Sequence, residues 1–92
     1  MRDIEINKDD SYVVEVSLPR DLTASSVHLL VGPDKTNAGQ AIVSGATSGT
    51  VKFYLENFDF PIGPNKIYWK VTYENGGVEV LPPDGDTLFV YP

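Results

Sequence analysis

Ninety-two residues suffice for one domain and leave little room for a large core, since a chain of this size buries only a little over ~60% of the surface its unfolded form exposes. The absence of cysteine excludes disulfide staples and thiolate metal sites and agrees with folding in a reducing cytoplasm. Thirteen Asp and Glu against seven Lys and Arg give a formal net charge of -6 with the charges dispersed, which argues against nucleic acid: phosphate binding needs clustered Lys and Arg.

Ile4 and Ile6 alternate with charged neighbours and predict a short first strand, followed by a turn at Lys8-Asp9-Asp10-Ser11. Residues 12–18 place Tyr12, Val14, Val16 and Leu18 on one face, because successive side chains on a strand point to opposite sides. Pro19 ends that run, and residues 20–26 read as a connection in which Leu22 plugs one end of the core. Val27-His28-Leu29-Leu30-Val31 predicts the next strand, closed by Gly32-Pro33-Asp34. Residues 34–41 have little apolar content and no helical period, so they predict a mobile surface loop. A short strand over 41–44 and a turn over 45–49 lead to a stronger strand over 50–55, with Val51, Phe53 and Leu55 on one side and Lys52 and Tyr54 on the other. Phe58, Phe60, Pro61 and Ile62 bring apolar bulk into a stretch that Pro61, Gly63 and Pro64 keep from being a regular strand, and predict a stopper across one end of the fold.

Ile67, Trp69, Val71 and Tyr73 alternate with Tyr68, Lys70, Thr72 and Glu74 and form the most regular strand, which carries the only Trp. Glu74-Asn75-Gly76-Gly77 supplies the positive φ of a tight hairpin, and Val78-Glu79-Val80-Leu81 returns. Residues 82–86 predict a rigid turn before a last strand over 87–91. Seven or so short strands with turn signals between them predict one domain over residues 1–92, an all-β, immunoglobulin-like antiparallel β-sandwich.

No catalytic constellation is expected. His28, the sole His, has no nucleophile, carboxylate or metal set beside it in the pattern. No Gly-x-Ser-x-Gly elbow occurs, and Asp84-Gly85-Asp86 lacks the ligand spacing of a calcium loop and reads as a solvated turn. No cofactor or metal is therefore expected. No apolar run approaches the ~20 residues of a membrane helix, and Met1-Arg2-Asp3-Ile4-Glu5 lacks the core of a signal peptide, so membrane partners are not expected either. The aromatic content points instead to protein contacts. Tyr54 and Tyr68 have the parity opposite to the apolar set of their strands, and Tyr is enriched where proteins dock. Tyr54, Tyr68 and Lys70 on one outward face, with Asn37 and Gln40 on the loop, are the candidate interface residues.

The series Tyr12-Val13-Val14-Glu15-Val16, Leu18-Pro19-Arg20-Asp21-Leu22-Thr23, Val27-His28-Leu29-Leu30-Val31, Gly49-Thr50-Val51-Lys52-Phe53-Tyr54-Leu55, Ile67-Tyr68-Trp69-Lys70-Val71-Thr72-Tyr73 and Gly85-Asp86-Thr87-Leu88-Phe89-Val90 resembles small immunoglobulin-like domains of tailed-bacteriophage virions, including the N-terminal type of baseplate upper proteins. The resemblance implies a noncatalytic virion protein, made in the host cytoplasm. The resemblance does not choose between decorating a capsid and joining tail or baseplate parts; a chain consisting of one sandwich, repeated over a lattice with avidity from many weak contacts, favours a capsid decoration or cement protein on the major capsid protein, with a tail or baseplate accessory next. Self-association is a further expectation, and the strands at Ile4-Glu5-Ile6 and Leu88-Phe89-Val90 are its candidate edges for pairing with a neighbouring chain. The rival class is a carbohydrate-binding or adhesion module, which needs several exposed rings on one plane.

Overall fold

Apolar alternation produces strands where it is strongest, and pairing with neighbours produces them where it is weak. The computed structural model describes residues 3–7, 13–55 and 58–92; the predicted turn at residues 8–11 and the facing of Tyr12 lie outside them. Seven strands follow in order: β1 (Asp3–Asn7), β2 (Val13–Ser17), β3 (Ser26–Val31), β4 (Thr36–Gly45), β5 (Thr50–Tyr54), β6 (Gly63–Thr72) and β7 (Val78–Tyr91).

These strands do not form an immunoglobulin-like sandwich. They make a single mixed, strongly curled sheet, a half-barrel, in the order β1-β7-β6-β3-β4-β5-β2. The physical reason lies in β4. Residues 36–41 of β4 bond to β3, and residues 42–45 bond to β5. One strand therefore carries the ladder round the corner, where a sandwich would leave one sheet by a loop and enter another. Register shifts at Leu29/Leu30 and at Val43/Gly45 accompany the corner, as bulges do where a strand bends.

That corner corrects the loop expected over 34–41. Only the turn at residues 32–35 is a connection, closed by the Lys35 N–H donating to Gly32 O at 3.0 Å. Asn37 and Gln40 stand on a strand, opposite Leu30 and His28 of β3. Their segment hides its pairing because the residues it buries, Ala38 and Ala41, are small and contribute little to an apolar pattern.

The other corrections also extend the ladder. β1 runs parallel to β7, from Asp3 opposite Thr87 to Asn7 opposite Tyr91, so the sheet is not purely antiparallel. Leu88-Phe89-Val90 thereby lies between β1 and β6 and is no edge. β6 starts at Gly63, four residues before the expected aromatic run, because Pro64 and Asn65 pair with Phe89 and Leu88. β7 is one strand with an excursion: Ile67 faces Asp86 and Trp69 faces Leu81, so residues 82–85 loop out opposite Tyr68.

The concave face holds the core. Val14, Val16, Val27, Leu29, Val51, Phe53, Ile67, Trp69, Val71, Leu88 and Val90 converge on it, with Leu22 and Phe60 at its ends. Full burial of each aliphatic or aromatic side chain contributes roughly 1.5–3 kcal/mol. Phe60 meets Phe53 and Phe58 edge-on, with ring centroids 6.4 and 4.9 Å apart, so the expected stopper forms; Ile62 stays exposed. Asn65 closes the same region, its Nδ2 donating to Pro61 O at 2.9 Å and Gly63 O at 3.1 Å. Trp69 is fully buried, and its Nε1 has no hydrogen-bond partner.

Candidate docking surface

The convex face carries the candidate site residues, and the ladder fixes which of them meet. On the β4–β5–β2 side, Val13 lies opposite Tyr54, Glu15 opposite Lys52, and Lys52 opposite Ile42. Alternation turns Val14, Val16, Val51 and Phe53 inward and leaves these five outward. Tyr54 is 40% exposed, Ile42 50% and Val13 37%. Lys52 and Glu15 form a loose ion pair across the strands, Nζ to Oε2 at 3.8 Å. The result is a short patch of bare apolar side chains around one charged pair, on three regular strands.

Tyr68 behaves differently. Its parity is outward, as expected, yet it is only 9% exposed. It sits opposite Leu30, also buried. The excursion at residues 82–85 folds over it: Gly85 has φ +75, and a Cβ there would stand 2.9 Å from Tyr68 Cε2. From the other side the Lys35 ammonium lies 4.9 Å from the ring centroid, a cation–π contact. Tyr68 is thus part of the structure of the convex face and offers no free ring to a partner.

Lys70 and Gln40 are brought into one row, on either side of His28. Asn37 is exposed but occupied locally, accepting the Gly39 N–H on Oδ1 at 2.9 Å. The five interface candidates therefore divide: Tyr54 on the apolar patch, Lys70 and Gln40 in the central row, Asn37 on the next row, Tyr68 covered. Val13, Glu15 and Ile42 were missed. The signal for Val13 and Glu15 was present, since they alternate with Val14 and Val16. For Ile42 the run Ala41-Ile42-Val43 gives no parity, and only pairing with Lys52 turns it outward.

A polar cluster lies at the end of the sheet near the hairpin. Arg20 donates from Nε to Glu79 Oε1 at 2.9 Å and from Nη2 to Oε2 at 2.8 Å, and the Tyr73 hydroxyl donates to Oε1 at 2.6 Å. The Arg20 hydrogen bonds, then that of Tyr73, hold the Glu79 carboxyl down to about 2. The bond to Glu79, followed by desolvation, raises the Tyr73 phenol above its ordinary value. The cluster ties the β2–β3 connection to the hairpin, whose turn is closed by the Tyr73 N–H donating to Gly77 O at 2.8 Å. Beside it Thr23, Ser25, Tyr73, Glu74 and Asn75 line a shallow open depression of about 420 Å³. The three groups bond to one another, so the arrangement is a tie between the β2–β3 connection and the base of the hairpin.

Among the described residues no group of three or more His, Cys, Asp or Glu is placed to hold a metal ion. The Asp84-Gly85-Asp86 turn is not uniformly solvated: Asp84 is exposed and Asp86 is buried. No helix is long and apolar enough to cross a membrane among the described residues. The chain matches no protein-family model, no curated protein and no solved structure.

Proposed function

We propose that the chain is a noncatalytic docking module that attaches to a larger protein assembly through the convex face of β4, β5 and β2. The observation that carries this reading is the bare trio Val13, Ile42 and Tyr54 on strands whose opposite faces are locked into the core. Large outward apolar side chains gathered on rigid elements are what docking surfaces present. The assembly we assign is a bacteriophage virion, first as a decoration or cement protein on the capsid, then as a tail or baseplate accessory. With the sandwich overturned, that setting is supported by the likeness of the strand phrases alone. Many weak contacts repeated over a lattice add up through avidity, which suits a patch this small.

The test is sedimentation of the full chain with assembled phage-like capsids purified from the same source. Saturable cosedimentation is expected, with a loss of at least about thirtyfold in affinity for the Tyr54→Ser/Ile42→Ser double variant, the scale of a truncated hot spot. Absence of cosedimentation, or binding indifferent to the double variant, overturns the reading. A second reading, carbohydrate binding, is supported by one feature: Phe89 and Tyr91 hold their rings 6.5 Å apart with planes 18° from parallel, and Tyr91 is exposed. Glycan-dependent binding abolished by Tyr91→Ser, with capsids ignored, favours it.

A further inference from the structure

The free edge of β2 indicates how a partner is held at the surface just proposed, and the inference rests on that reading. β2 ends the sheet: β5 occupies one side, and no strand lies on the other among the described residues. An edge strand presents a row of unpaired N–H and C=O groups, and proteins blunt such edges with Lys, Pro, bulges or short charged strands. Residues 13–17 contain neither Lys nor Pro and pair with β5 in unbroken register, so Glu15, the one charge in this five-residue strand, is its only guard of that kind.

Three rows of side chains cross the convex face and break off at β2. Tyr54 and Val13 form an apolar row, Ile42, Lys52 and Glu15 a row ending in a carboxylate, and Thr50 and Ser17 a row of hydroxyls 3.3 Å apart. Directly opposed side chains are the unit of sheet stabilisation. A strand laid along β2 therefore meets an apolar pair at Val13, a negative charge at Glu15 and a hydroxyl at Ser17. Lys52 reaches Glu15 only at 3.8 Å and leaves its side chain 52% exposed, so the carboxylate retains capacity for a second cation.

We infer that an extended segment of a partner protein adds to β2 as an eighth strand, its outward side chains running apolar, basic and small polar from Val13 to Ser17. A second copy of this chain does not supply that segment. Antiparallel pairing of two β2 edges about Glu15 sets carboxylate against carboxylate, and β1 brings the exposed Glu5 to its convex row, opposite Phe89.

Amide hydrogen exchange of the full chain, followed by NMR, tests this with two nine-residue peptides at millimolar concentration. Both carry Val at inward positions and Val, Lys and Thr in turn at outward ones; the second has Glu in place of Lys. The Lys peptide is expected to slow exchange within residues 13–17 and to bind about threefold to tenfold tighter than the Glu peptide, the scale of opposed against like charges across strands. Glu15→Lys reverses that order. Unchanged exchange at residues 13–17 with both peptides overturns strand addition, and equal affinity of the two overturns the charge rule. Glu15→Lys leaves Val13, Ile42 and Tyr54 in place, which separates the two proposals. Capsid binding lost in Tyr54→Ser/Ile42→Ser, retained in Glu15→Lys and unaccompanied by peptide protection keeps the docking face and removes the eighth strand. Peptide protection without capsid binding keeps the strand and removes the capsid.

Discussion

The convex face treats its outward apolar side chains in two ways. Leu30 and Tyr68 are opposite one another on β3 and β6 and both buried, and the chain covers the Tyr68 ring with Gly85 of the 82–85 excursion and with Lys35. Val13, Ile42 and Tyr54 occupy the same face on β2, β4 and β5 and are left bare. The difference teaches what a single curled sheet requires. Its concave side is dry by curvature, but an outward ring is buried only if spare chain folds back over it. β7 has fourteen residues and gives four of them to that cover. β2 and β5 have five each and no excursion, so on that side the outward apolar side chains stay exposed.

The sharpest way to break this comparison is to truncate one ring on each side. Tyr68→Ala is expected to cost about 3 kcal/mol in urea unfolding, as for other buried aromatics. Tyr54→Ala should stay within about 0.5 kcal/mol, as surface changes do. Equal losses would mean that the two rings are covered alike. Gly85→Ala probes the cover itself. A Cβ at φ +75 meets both Tyr68 Cε2 at 2.9 Å and Ile67 O at 3.1 Å, and a loss of about 2 kcal/mol is expected from the left-handed backbone and the clash together. A neutral result would show that residues 82–85 lift off at little cost.

A smaller effect tests the tie beside the hairpin, which is held by charge where the Tyr68 cover is held by packing. Glu79 is depressed in the folded chain, so its contribution is present above its unfolded value of 4.5 and is lost as pH falls toward about 2. The stability gap between the native chain and Glu79→Gln should therefore close over that interval. Since Arg20 and Glu79 are 40% and 34% exposed, salt should narrow the gap as well. A gap that persists at pH 2 would assign the tie to packing.

Much of this architecture is legible where a residue's own pattern decides its environment. Val14, Val16 and Leu18, the Ile67-Trp69-Val71 series and the Asn75-Gly76-Gly77 turn all fall where alternation and turn chemistry put them. The illegible parts are set by neighbours. Thr36-Asn37-Ala38-Gly39 carries no strand pattern, and becomes one because β3 offers it a ladder. Pro82-Pro83 looks like a stop, yet pairing resumes four residues later. Parity alone sends both Tyr54 and Tyr68 outward, and only the return of residues 82–85 distinguishes them. The candidate surface was thus half visible: Tyr54 from its strand, Val13 and Glu15 from theirs, but their contiguity with Ile42 only from the corner in β4.

The parallel pairing of β1 with β7 has a consequence for how the chain is made. Asp3 pairs with Thr87 and Ile6 with Val90, so β1 has no partner until residues 87–91 have left the ribosome. Closing so long a loop is slow, and folds dominated by such distant pairs form in milliseconds to seconds. Until then Ile4 and Ile6 travel without the surface they will cover, and β1 is among the last strands to reach its native place.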